Sequence, residues 1–357
     1  MSVFSTRAPA LLVIICLIPL AYAGSIAQSE QAASGNDERL RMQLGKLDYK
    51  ILYETFNEDN YELYMANADG SDPVNLTNTP DVDEHYVKAS PDGTKICFLA
   101  REKSRAEKCC RQPSKVLDIY YMNLDSTGRT KIAEHAGSPC WSPDGTAIAY
   151  QTGGHFRPEK CKFAKGLFIY DLNTGKHKEH PTAKKLKGFQ TLSWPNENWL
   201  LARLSENNPY GGEGFAIIEA KGSNVLKLKG YGGGCRLDPD PDGKRITWGR
   251  SDSVIGVADV DLVSGNPEVS NVKSVVVEKE GIHTYHVDWS PDGRFIAFAS
   301  GPKGKKSLSE PVEMIGVKAP GWNIYVADPS QKNRYVAITV DGNSNKEPDW
   351  LPVRKGN

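Results

Sequence analysis

The turn sequence Ser-Pro-Asp-Gly recurs along the chain, at Ser90, Ser142 and Ser290, with the variant Asp240-Pro241-Asp242-Gly243. Each copy is followed by a short apolar run such as Ile96 to Leu99, Ile148 to Gln151 or Ile296 to Ala299. Proline presets the first corner of such a turn, aspartate tolerates the second, and glycine supplies the positive φ. A unit copied in this way cannot bury its own faces and must stack on its neighbours. The chain therefore reads as a repeat architecture before any other consideration applies.

The position before each turn serves as an anchor, held by Ala89, Trp141, Trp194, Pro239, Trp289 and Trp350. Their spacings are 52, 53, 45, 50 and 61 residues, which suits four-stranded propeller blades carrying insertions. After the second strand comes a third, as in Asp118 to Met122, Leu167 to Tyr170, Phe215 to Ile218 and Asn323 to Ala327. A polar turn such as Asp69-Gly70 and a fourth strand complete the unit. The folded part opens at Lys50 to Glu54 with a strand of the second kind, and closes at Asp349 to Pro352 with one of the first kind. One blade is thus assembled from both ends, which closes the ring and removes exposed sheet edges. The expectation is an all-β, six-bladed propeller over residues 48–353, with 354–357 as a tail.

The pattern Trp-Ser-Pro-Asp-Gly-x-x-Ile-Ala-Phe followed by Ile-Tyr resembles the repeat of the TolB-type β-propeller proteins of the bacterial envelope. The resemblance covers roughly Asp48 to Pro352. TolB itself carries an α/β domain ahead of its propeller, which the short leader here cannot supply, so membership of the Tol-Pal machinery stays open.

Residues 1–23 read as a signal peptide: Arg7 is the positive start, Ala10 to Leu20 the apolar stretch, and Ala21-Tyr22-Ala23 the small-residue cleavage site. The apolar run is short for a membrane anchor. Residues 24–47 form a polar, loose leader in which Asp37 to Gly45 suits a short helix. A periplasmic or extracellular location follows, with no membrane span after cleavage. Export leaves Cys97, Cys109, Cys110, Cys140, Cys161 and Cys235, which permits disulfides. Cys97 reads as a buried apolar residue in a strand. Cys109 or Cys110 is expected to bridge Cys161 between neighbouring inserted loops. Lys plus Arg equals Asp plus Glu at 44 each, so nothing points to nucleic acid.

Strand direction sorts the connections onto two faces. The Pro-Asp-Gly turns share one face, and the insertions 101–116, 153–165 and 301–321 share the other, where binding usually resides. Counted back from the anchors, His85 is at minus four, His135 and His283 at minus six, and His286 at minus three. The minus-three positions are polar (Tyr86, Ser138, Thr191, Arg236, His286, Glu347), and the minus-two positions are apolar and expected between blades. A ligand-binding mouth built from His85, Tyr86, His135, Arg236, His283, His286 and Glu347 is expected at the inserted face. His283 and His286, three apart on a strand, should point to opposite sides.

No complete catalytic constellation is present, so the expectation leans toward a monomeric, non-enzymatic propeller without a cofactor that binds an envelope protein, peptide or glycan. The alternative is a metal-assisted polysaccharide lyase or hydrolase with a divalent metal on His85, His283 and His286. It draws on a resemblance to the oligogalacturonate lyases, which place histidines around a channel metal.

Overall fold

The computed structural model describes residues 38–104, 117–152, 166–183, 186, 189–204, 214–262, 265–304 and 311–352. The described residues contain 24 strands in six four-stranded antiparallel sheets. Blade 1 has the order β24-β1-β2-β3, joining the C-terminal Ser344–Leu351 to Lys50–Asn57, Asn60–Asn67 and Val74–Asn75. Blades 2 to 6 span residues 82–133, 136–179, 189–227, 235–277 and 282–337, each built from four consecutive strands. The innermost strands of blades 2 to 6 are Val82–Ala89, Ala136–Trp141, Phe189–Asn196, Cys235–Pro239 and Ile282–Trp289. The molecule is a six-bladed β-propeller. Its ring closes as the two chain ends require, with Ile51 opposite Trp350 and Leu52 opposite Asp349.

The core consists of six apolar clusters, one at each seam between blades. The second strand of blade 2 shows why: Ile96 and Phe98 join the seam with blade 1, whereas Cys97 and Leu99 join the seam with blade 3. Both faces of every sheet are buried, so an apolar run replaces clean alternation. Four blades repeat a stacked aromatic pair between second and third strands: Tyr53–Tyr64, Phe98–Tyr120, Tyr150–Phe168 and Phe298–Tyr325, with centroids 5.4–5.9 Å apart. Such cross-strand pairs fix register as well as adding contact.

The repeated turn is held by its own side chains. The Ser142 hydroxyl donates to Asp144 (2.6 Å) and accepts the Ala147 amide (2.9 Å), and Ser90 and Ser290 do the same. In the variant copy Asp240 takes the acceptor role toward the Lys244 and Arg245 amides. Hydrogen bonds from Ser142 and Thr146 hold the Asp144 carboxyl below its usual range. Gly93 has φ +67°, and a Cβ there would lie 1.9 Å from the Pro352 carbonyl oxygen, so glycine is required twice over.

Residues 38–44 form a helix, α1, across the seam of blades 6 and 1. Leu40 and Leu44 are fully buried among Phe295, Val336 and Trp350, and Arg41 donates to the Asp69 and Ala337 carbonyls at 2.8 and 2.7 Å. The short helix expected within Asp37 to Gly45 is present, but the leader is not loose up to residue 47: two leucines at i, i+4 give the helix an apolar stripe, and it joins the core.

Candidate functional site: the axial cavity

Every innermost strand runs along the propeller axis, and in five blades the minus-three residue has left-handed backbone geometry. Tyr86, Ser138, Arg236, His286 and Glu347 have φ between 50° and 60°. A β-bulge accompanies each, the ladder register slipping between His85 and Lys88, Gly137 and Cys140, Cys235 and Asp238, Tyr285 and Asp288, and opposite Leu52 and Glu54. Bulges re-aim side chains that simple alternation would send elsewhere. His283 and His286 accordingly both reach Glu313: His283 Nδ1 contacts its carboxylate, and His286 Nε2 donates to its carbonyl at 3.0 Å. The bulge begins after Tyr285 and takes in His286, so the regular alternation behind the opposite-sides expectation does not hold there.

An axial cavity of about 200 Å3 results. Tyr86, Arg236, His286 and Glu347 line one end, as the minus-three ring anticipates; Pro91, Trp141 and Trp194 line the other, toward the Pro-Asp-Gly turns. Arg236, on blade 5, reaches across the axis to Glu347 on blade 1 with two 2.8 Å hydrogen bonds, and lies 5.3 Å over the Tyr86 ring on the opposite blade. Glu347 also sits 3.2 Å from His286 Nε2. Burial, reinforced by the positive charges of Arg236 and Lys346, pushes the His286 pKa well below normal, so the ring is neutral. Its Nε2 carries the proton given to Glu313, and its buried Nδ1 has no partner.

Between the two ends lies a ring that sequence reading missed, the minus-one residues Lys88, Cys140, Ser193, Asp238, Asp288 and Asp349. Three of its aspartates staple the ring, each accepting the anchor amide of the next blade: Asp238 from Trp289 (2.9 Å), Asp288 from Trp350 (2.9 Å) and Asp349 from Ala89 (2.7 Å). Lys88 crosses to Asp349 at 2.5 Å and Asp288 at 3.4 Å. Burial alone would lower the Lys88 pKa; the two carboxylates outweigh it and hold it well above normal. Burial and the neighbouring Asp288 charge push the Asp349 carboxyl up to about 7 and Asp238 well above its usual range. Aspartate recurring at one register in three copies was the available signal.

The remaining expected residues lie off the cavity lining. His85 is fully buried, 3.2 Å from Glu54 through Nδ1, with its ring 4.6 Å from Tyr61. His135 is half-buried, and its backbone amide donates to Asp118 at 3.1 Å. His283 Nε2 faces the exposed Asp252 at 3.9 Å, and Asp252 accepts the Tyr285 hydroxyl at 2.5 Å. The expected metal grouping of His85, His283 and His286 is thus split, His85 to Glu54 and the other two to Glu313. Among the described residues no group of three or more His, Cys, Asp or Glu is arranged to hold a metal ion. As placed, these three histidines do not converge on one centre. Cys97, Cys140 and Cys235 are free thiols, Cys97 being fully buried as its strand position implied. Cys109, Cys110 and Cys161 lie outside the described residues.

Comparison with known proteins agrees with the repeat. Over 140 residues the chain is 31% identical to the Tol-Pal system protein TolB of Alcanivorax borkumensis, an alignment covering 36% of this chain and 29% of that protein. Over that stretch its repeat is similar to the TolB propeller repeat. No family model matches the chain. Among solved structures it is similar to the hydrazine synthase of Kuenenia stuttgartiensis (TM-score 0.57, 11% identity, 87% of this chain and 48% of that one). It is also similar to a chain of a nidogen–laminin complex (TM-score 0.55, 8% identity, 86% and 99%). At such identities these likenesses concern the fold alone. Among the described residues, no helix is long and apolar enough to cross a membrane.

Proposed function

We propose that this propeller is an exported binding module, periplasmic or extracellular, whose axial cavity receives a positively charged group of an envelope protein or peptide. One observation carries the reading: four carboxyls, Asp238, Asp288, Asp349 and Glu347, meet only Lys88 and Arg236 among the charged residues lining the cavity. Burial first, and then the neighbouring Asp288 charge, raise the Asp238 and Asp349 pKa values, and an arriving cation would relieve the second of these. The volume of about 200 Å3 is smaller than a typical ligand pocket, so one protruding side chain suits it better than a glycan.

A photo-crosslinking residue at Trp194, on the cavity wall, tests this in envelope extracts. The Asp238→Asn/Asp288→Asn protein keeps the two amide acceptors and removes the charge. It should lose the crosslinked partner that the native charge set captures, whereas Lys273→Ala, on the outer strand of blade 5, should retain it. Equal capture by the Asn pair and the unmodified cavity would sink the proposal.

A further inference from the structure

The segment 311–321, between the second and third strands of blade 6, does not stay on its own blade. Val312 and Ala319 are buried at the seam of blades 6 and 1, and Lys318 places its ammonium 3.9 Å over the Phe56 ring of blade 1. Ile315 packs against the cluster shared by blades 2 and 3, on the far side of the axis. The segment therefore crosses the end of the cavity where Arg236, His286 and Glu347 converge.

Its seat is unusual. Lys346, with no exposed surface, donates to three of its carbonyls, Val312 (3.3 Å), Met314 (2.8 Å) and Val317 (2.7 Å). His286 takes the Glu313 carbonyl, His283 takes the Glu313 carboxylate, and Ser344 accepts the Ala319 amide at 2.9 Å. Lys346 and Glu347 are adjacent on β24, and the left-handed φ of Glu347 sends one to the strap and the other into the cavity. An ammonium has three donors, and here each has a carbonyl, so lifting the strap would leave the buried charge with Glu54, 3.9 Å away, in place of three carbonyls.

We infer that the strap 311–321 is a fixed roof over the inserted-face end of the axial cavity, which makes the cavity blind and leaves the Pro-Asp-Gly face as its docking surface. At that open end the lining passes to the exposed Pro91 beside Trp141 and Trp194. The roof stands on geometry alone; only the identity of what docks there rests on the function proposed above. A partner then approaches from the side opposite the inserted loops, inserting one cationic side chain between the turns.

Thiol labelling separates the roof from the question of the partner, because it needs none. Ser193→Cys puts a reporter on the cavity wall, and its reaction with a cationic methanethiosulfonate is followed by mass spectrometry that resolves each cysteine. Adding Pro91→Trp at the open rim should slow labelling at least about tenfold, and Ile315→Asp, which unseats only the strap tip, should speed it by a similar factor. Amides of 311–321 should exchange at least about 100-fold more slowly than in an open loop. Labelling that ignores Pro91→Trp, a folded Ile315→Asp protein that labels no faster, or strap amides exchanging at open-loop rates would each overturn the roof.

Discussion

At the residue scale, the aspartates facing the axis have two tasks that conflict. Each accepts a backbone amide from the next blade, and together they crowd negative charge into a buried space. Asp349 shows the consequence. Its pKa of about 7 in the folded state lies above the unfolded value of about 3.9, so the folded protein holds the proton more tightly. The stability this confers is complete below the unfolded pKa and is lost as pH rises through about 7. Asp349→Asn should therefore gain on the native protein by about 1–3 kcal/mol between pH 5 and pH 8, read from urea midpoints at the two pH values. A constant gap would show that the carboxyl is ordinary. The Ser142 hydroxyl makes a simpler case: it satisfies both Asp144 and the Ala147 amide, so Ser142→Ala should cost about 1–2 kcal/mol in the same assay. The serine, aspartate and glycine of each turn were legible in the sequence because their partners lie within five residues. Glu313, Glu54 and Lys346 were not, since the groups they bind stand 27 or more positions away in the chain.

At the element scale, the bulge in the innermost strands is the feature that alternation cannot anticipate. A left-handed residue at minus three shifts the phase of the strand, so rings that should alternate between faces instead supply three successive layers to one cavity. The polar ring at minus three was found by position, not by the bulge, and its members Tyr86, Arg236, His286 and Glu347 do converge. Helix α1 is the second element with a definite cost. Leu44→Ala removes a fully buried side chain from the seam of blades 6 and 1 and should lower unfolding free energy by about 2–5 kcal/mol. Met42→Ala, on the same helix and 54% exposed, should change it by less than about 0.5 kcal/mol. Matching losses in the two variants would mean that the helix is not seated as described.

At the scale of the whole molecule, closure and cavity depend on one strand. β24 completes blade 1, carries Asp349 and Glu347 into the axis, and seats the strap through Lys346. Truncation before Ser344 should thus abolish cooperative thermal unfolding and expose both edges of the ring, whereas removing 354–357 should leave the melting transition in place. A sharp native-like transition in the first truncation would refute this division. What the sequence determined was the number of blades, their turns and the joining of the two ends, because those rest on short-range patterns that recur from blade to blade. Only the tertiary structure decided which side chains meet at the axis. Residues from blades 1, 2, 5 and 6 are dispersed along the chain, and their approach depends on ring closure and on the phase shift of each bulge, neither of which leaves a local mark.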